Sequence, residues 1–130
     1  MQQRPDICIY EPRIYGRFIL YPKGDSKQSN DHLKLQSVRC VIEEKGGLPL
    51  AKKSEKAIIK SYESDLTKLK EWKELITQQK RRLQITSPNI DYMFVAVDVR
   101  PTGLSPQLID EINEKAAKKG IVFNYMHFPI

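Results

Sequence analysis

The chain has 130 residues, 40% of them hydrophobic and 29% charged, and a formal net charge of +6. That length and composition fit one domain with a buried core of its own, and exclude disorder and a scaffold held only by disulfides or metal. The longest apolar run, Tyr92 to Val97, falls far short of the ~20 residues of a membrane-spanning helix.

Extended structure is expected from Ile7 to Tyr21, a stretch rich in β-branched and aromatic residues and interrupted at Pro12, which has no donor N–H. From Arg13 onward the alternation sends Ile14, Phe18 and Leu20 to one side and Arg13, Tyr15, Arg17, Ile19 and Tyr21 to the other. Pro22 to Ser26 ends the strand, and a polar loop follows to Asp31. His32 to Lys45 fits either strand or helix. Leu35, Val38, Val41 and Ile42 follow helical spacing, Asn30 or Asp31 could cap the start, and Gly46-Gly47 could stop it, so the spacing predicts a helix.

Ser54 to Leu83 carries the strongest pattern. Ile58, Ile59, Tyr62, Leu66, Leu69, Trp72, Leu75, Ile76 and Leu83 recur in steps of three and four, with no Gly or Pro between them. Such a helix runs roughly 43 Å at ~1.5 Å per residue, against a radius of gyration of about 14 Å for a compact domain of this size. One end is therefore expected to protrude, kink or pack on another chain. On this reading Ile58, Tyr62 and Leu66 pack on the sheet, while Leu69, Trp72, Ile76 and Leu83 form an exposed seam for a homodimer. Gln79 would break that seam and set its register.

Thr86-Ser87-Pro88-Asn89 terminates the helix. Asp91 to Val99 is nearly all apolar and reads as a strand buried on both faces. Ser105 and Pro106 open a helix that continues through Leu108, Ile109, Ile112 and Ala116 to a stop at Gly120, and Ile121 to Phe128 is a further strand. Strand, helix and strand with short loops predict a parallel βαβ unit with a right-handed crossover. The fold class is thus mixed α+β: a small sheet with an N-terminal extended strand, a C-terminal βαβ unit and one long amphipathic helix at about residues 55–83, in a single domain.

The charge is concentrated. Residues 46–90 hold ten Lys and Arg against five Asp and Glu, whereas residues 1–45 are at +2 and residues 91–130 at −1. Lys52, Lys53, Lys56 and Lys60 lie at the start of the long helix and Lys80, Arg81 and Arg82 at its end. Such a surface favours a polyanion or an acidic protein, although the last three residues also oppose the negative end of the helix dipole. Arg13, Tyr15, Arg17 and Tyr21 add the basic-aromatic alternation that suits stacked bases and phosphates.

Catalytic and cofactor signatures fail: there is no GxGxxG, P-loop, HExxH or CxxC, and Cys8, Cys40, His32 and His127 lack ligand-pair spacing. No catalytic residue, metal or cofactor is expected. The most site-like loop, Asp98, Arg100, Thr102 and Gly103, follows a parallel strand and precedes a helix N-terminus, the place for a small anion. Its plainer reading pairs Asp98 with Arg100. The two cysteines read as buried free thiols in a reducing cytoplasm, and the opening Met-Gln-Gln-Arg-Pro-Asp lacks the apolar core of a signal peptide. The expectation is a cytoplasmic, non-enzymatic, homodimeric protein that binds DNA or RNA. An interaction module for an acidic protein (inhibitor, immunity-type or adaptor) is the second reading, and an enzyme using Asp98 on an anionic substrate the third.

Overall fold

The computed structural model describes residues 6–10, 35–86 and 89–130. They form strands β1 (Ile7–Tyr10) and β2 (Val38–Gly46), a short 3-10 turn (Leu48–Leu50), helix α1 (Glu55–Arg82), strand β3 (Asp91–Asp98), helix α2 (Pro106–Lys118) and strand β4 (Val122–His127). One sheet runs in the order β1-β2-β3-β4. The first pair is antiparallel and the other two are parallel. The mixed α+β class holds, and α1 makes a second βαβ crossover, between β2 and β3.

Both helices lie on the same side of the sheet. Lys115 Nζ reaches Glu63 at 2.7 Å, and Tyr62 on α1 packs its ring on Phe94 of β3 and Phe123 of β4, with centroids 5.6 and 6.2 Å away. Right-handed crossovers that step in one direction along a sheet require this arrangement. On the helix-covered face Val41, Phe94, Ala96 and Phe123 are buried against Ile58, Tyr62, Leu66, Leu69, Trp72, Ile76, Ile112 and Ala116. That is the core.

Ser54 caps α1 by accepting from the Ala57 N–H at 3.2 Å, and Ser105 caps α2 in the same way through Leu108. The exposed seam expected on α1 is not there: Leu69, Trp72 and Ile76 are each 0% exposed, and Leu83 is half-buried against the core. The reason is geometric. Ile58 to Ile76 spans about 27 Å of helix, which a strand of eight residues nearly matches at ~3.3 Å per residue. The apolar stripe is only as long as the sheet it covers.

The helix predicted over 32–45 is also corrected. Only residues 35–37 are helical among those described, and Val38–Gly46 is strand. Its misleading spacing has a cause: Ile9 pairs with Cys40 but Tyr10 pairs with Val38, so the register shifts past Arg39. That irregularity lets Val38 and Val41, three apart, both reach the core, which imitates a helical step. Gly46-Gly47 ends a strand instead of a helix. A Cβ at Gly46 would lie 2.1 Å from the Val97 carbonyl oxygen, so the two strands approach there as only glycine permits.

Candidate functional site: a basic groove at the helix C-termini

Each helix runs from the carboxyl end of one strand to the amino end of the next, so both helix C-termini come to the same end of the sheet. There α1 carries Lys80, Arg81 and Arg82 in its last turn, and α2 carries Lys115 and Lys118, followed by Lys119. Two adjoining grooves share Lys73, Thr77 and Arg81. One is lined further by Lys80, Ile85, Asn89, Ile90 and Tyr92, the other by Lys70, Glu74, Lys118, Lys119 and Gly120.

Six cations and one carboxylate line this surface. Helix dipoles cannot account for them, because two helix ends together offer only about one negative charge. The surplus therefore goes beyond what the helix ends would balance. Lys73 sits where the grooves meet. Its ammonium donates to the Lys119 carbonyl at 3.4 Å and lies 5.7 Å from the centre of the Tyr92 ring. Gly120 (φ 71°) leaves room for it, since a Cβ there would stand 2.1 Å from Lys73 Nζ. Burial, and then the neighbouring Arg39 guanidinium, push the Lys80 ammonium below its ordinary pKa. A bound anion would relieve the second of these.

Of the basic residues singled out in the sequence, the structure gathers Lys80 and Arg81 into the groove. Arg82 is exposed beside it and donates from Nε and Nη2 to the Gln79 side-chain oxygen at 3.0 and 2.6 Å. Lys52, Lys53, Lys56 and Lys60 are exposed at the opposite end, and Lys60 and Lys80 are separated by about 30 Å of helix. They form no single patch with the groove. Arg13, Tyr15, Arg17 and Tyr21 lie outside the described residues. Sequence reasoning missed Lys70, Lys73, Lys118 and Lys119. The Lys118-Lys119-Gly120 helix stop was visible, but its place beside α1 needed the topology.

The loop after β3 holds the other candidate. Asp98 is 3% exposed and accepts from Arg100 Nε at 2.9 Å and Nη2 at 2.7 Å, from the Arg100 N–H, and from the Tyr125 hydroxyl at 2.5 Å. Burial alone would raise its pKa, but the hydrogen bonds from Arg100 and Tyr125 outweigh it and hold the carboxyl at about 2. Tyr125 Oη in turn accepts from the Leu104 N–H, and His127 Nε2 donates to the Arg100 carbonyl at 2.7 Å. Thr102 is exposed and Gly103 half-buried beside this network. An ionised carboxylate so fully engaged is a poor base. It ties β3, the loop and β4 together, which is the plainer reading of Asp98.

Among the described residues no group of His, Cys, Asp and Glu is arranged to hold a metal ion, and Cys8 and Cys40 are free thiols. No helix among them is long and apolar enough to cross a membrane. Comparison with protein-family models, with curated proteins and with solved structures gave no match.

Proposed function

We propose that this is a nucleic-acid-binding protein of the cytoplasm that holds the phosphate backbone in the groove formed by the C-terminal turns of α1 and α2. The observation that carries the reading is the convergence of Lys70, Lys73, Lys80, Arg81, Lys118 and Lys119 around a single carboxylate, Glu74. Tyr92, the one aromatic residue lining the groove among those described, is 5% exposed. The groove thus offers charge without a stacking platform, and binding there rests on phosphate contacts with little choice of base.

Electrostatic binding of this kind has a salt signature. If four phosphates are neutralised, affinity for duplex DNA falls roughly a hundredfold between about 50 and 200 mM salt. Titration of labelled DNA and RNA oligonucleotides at both salt concentrations measures it. Lys73→Ala and Arg81→Ala are each expected to weaken binding and to reduce the salt slope by about one. Absence of binding to either nucleic acid at low salt overturns the proposal.

A further inference from the structure

We propose that Asp6 and Glu43 form a binding site for one hydrated divalent cation of the magnesium class, at the edge where β1, β2 and α1 meet. Strand register brings the two together: Ile7 pairs with Ile42 in an antiparallel ladder, so the next rung sets Asp6 opposite Glu43. Side chains facing each other across a rung share one side of the sheet, here the side that α1 covers. Asp6 Oδ2 accepts from the Glu44 N–H at 2.9 Å, which pins that carboxylate against β2. Glu43 is 2% exposed, and its Oε1 has no hydrogen-bond partner among the described residues. Asp6 itself is exposed, so the pair opens to water on one side.

The surroundings leave this pair short of positive charge. Asp65 on α1 brings a third carboxylate near Glu43. Against these three stand two ammonium groups. Lys45 is engaged by Asp65 at 3.4 Å, and Lys68, half exposed, comes only to 3.9 Å from Glu43 Oε2, beyond hydrogen-bond range. With all three carboxylates ionised one negative charge is left over, and a buried charge needs a partner. A residue serving packing alone would be better apolar here, because an unmade hydrogen bond on a buried oxygen costs stability. The donors select the ligand. Both are carboxylates, which suit hard cations, and magnesium keeps several of its waters while taking one or two carboxylates. The described residues form no closed centre of three ligating side chains, and the Asp6–Glu43 pair fits the open, partly hydrated mode. The site shares no residue with the basic groove, so it stands or falls on its own.

The test is titration of the chelator-treated full chain with Mn²⁺ or Mg²⁺ slightly above neutral pH, by calorimetry and by melting temperature. The expected result is one cation bound per chain and a melting temperature that rises with its concentration. Asp6→Asn and Glu43→Gln should each weaken binding at least about tenfold, since affinity follows ligand charge. Glu44→Gln, which removes an exposed carboxylate from the opposite face of β2, should leave binding unchanged. Melting also shows that Glu43→Gln is folded: without the cation it melts above wild type, and at millimolar cation only wild type gains. Absence of both a saturable heat and a melting shift at millimolar Mn²⁺ and Mg²⁺ overturns the proposal. So does binding that survives both Asp6→Asn and Glu43→Gln, or that Glu44→Gln weakens equally, which is diffuse attraction to acidic residues.

Discussion

Replacing Glu43 by Gln should stabilise the protein above neutral pH and change little near pH 5. Glu43 projects from β2 toward α1 and is 2% exposed. Its Oε2 is 3.9 Å from Lys68 Nζ, too far for a hydrogen bond, and its Oε1 finds no hydrogen-bond partner among the described residues. Asp6 and Asp65 add negative charge near by, while Lys45 is turned to Asp65 at 3.4 Å. Burial first, and then the Asp6 charge, push the Glu43 carboxyl from its ordinary 4.5 up to about 7, against the weaker pulls of Lys68 and of a hydrogen bond from the Asp6 backbone. The folded protein therefore keeps a proton that the unfolded chain loses between those two values. Stability is fully present below pH 4.5 and is lost as pH rises to 7. At about 1.4 kcal/mol for each decade, discounted for relaxation around the carboxylate, the loss is about 1 to 3 kcal/mol. That corresponds to roughly 3–10 °C in melting temperature for a domain of this size. The measurement is the difference in melting temperature between Glu43→Gln and wild type across that range, which cancels other titrating groups. A difference that stays flat from pH 5 to pH 8, or a Gln variant less stable at pH 8, would refute the reasoning.

Asp98→Asn should cost about 2 to 4 kcal/mol in urea denaturation at pH 7, because the Arg100 guanidinium stays buried without its counter-charge. The same variant should flatten the acid limb: a carboxyl depressed from 3.8 to about 2 stabilises the fold above pH 4, and that contribution is lost as pH falls toward 2. Trp72→Ala should cost about 3 to 5 kcal/mol by the same assay while leaving any dimer constant of the folded protein unchanged, which separates a core residue from an interface residue. Gly46→Ala should destabilise by at least about 2 kcal/mol, since the new methyl meets the Val97 carbonyl and not a side chain that could move aside.

Where one period dominated, the fold could be read from the sequence. The α1 stripe, the Ser54 and Ser105 caps and the run from Asp91 give elements within a residue or so of those observed, because each depends on local spacing and capping alone. Val38–Gly46 misled because a register shift against β1, a contact made with residues some thirty positions away, placed Val38 and Val41 on the same face. The candidate site was half visible for a related reason. Lys80 and Arg81 stand out as a charge run, but Lys73, Lys118 and Lys119 become their neighbours only when two crossovers of the same hand lay α2 beside α1. Glu43 gave no signal at all. Glu-Glu-Lys reads as a solvated stretch until the register turns its first residue inward opposite Phe94.

The length of α1 now has a different meaning from the one its stripe suggests. Burial runs from Ile58 to Ile76, and the turns beyond it at either end contain no fully buried residue. A helix needed only to cross from β2 to β3 could stop near Ile76. Thr77 to Arg82 adds about 9 Å of helix whose side chains line the groove or face solvent, and three of the last four residues are cations. Extra length devoted to self-association would have continued the apolar stripe. It carries charge instead. Shortening α1 by one turn at that end, with the cap and Ile85 re-joined behind it, should therefore weaken nucleic-acid binding far more than it lowers the melting temperature, and an equal loss of both would show those residues to be part of the scaffold.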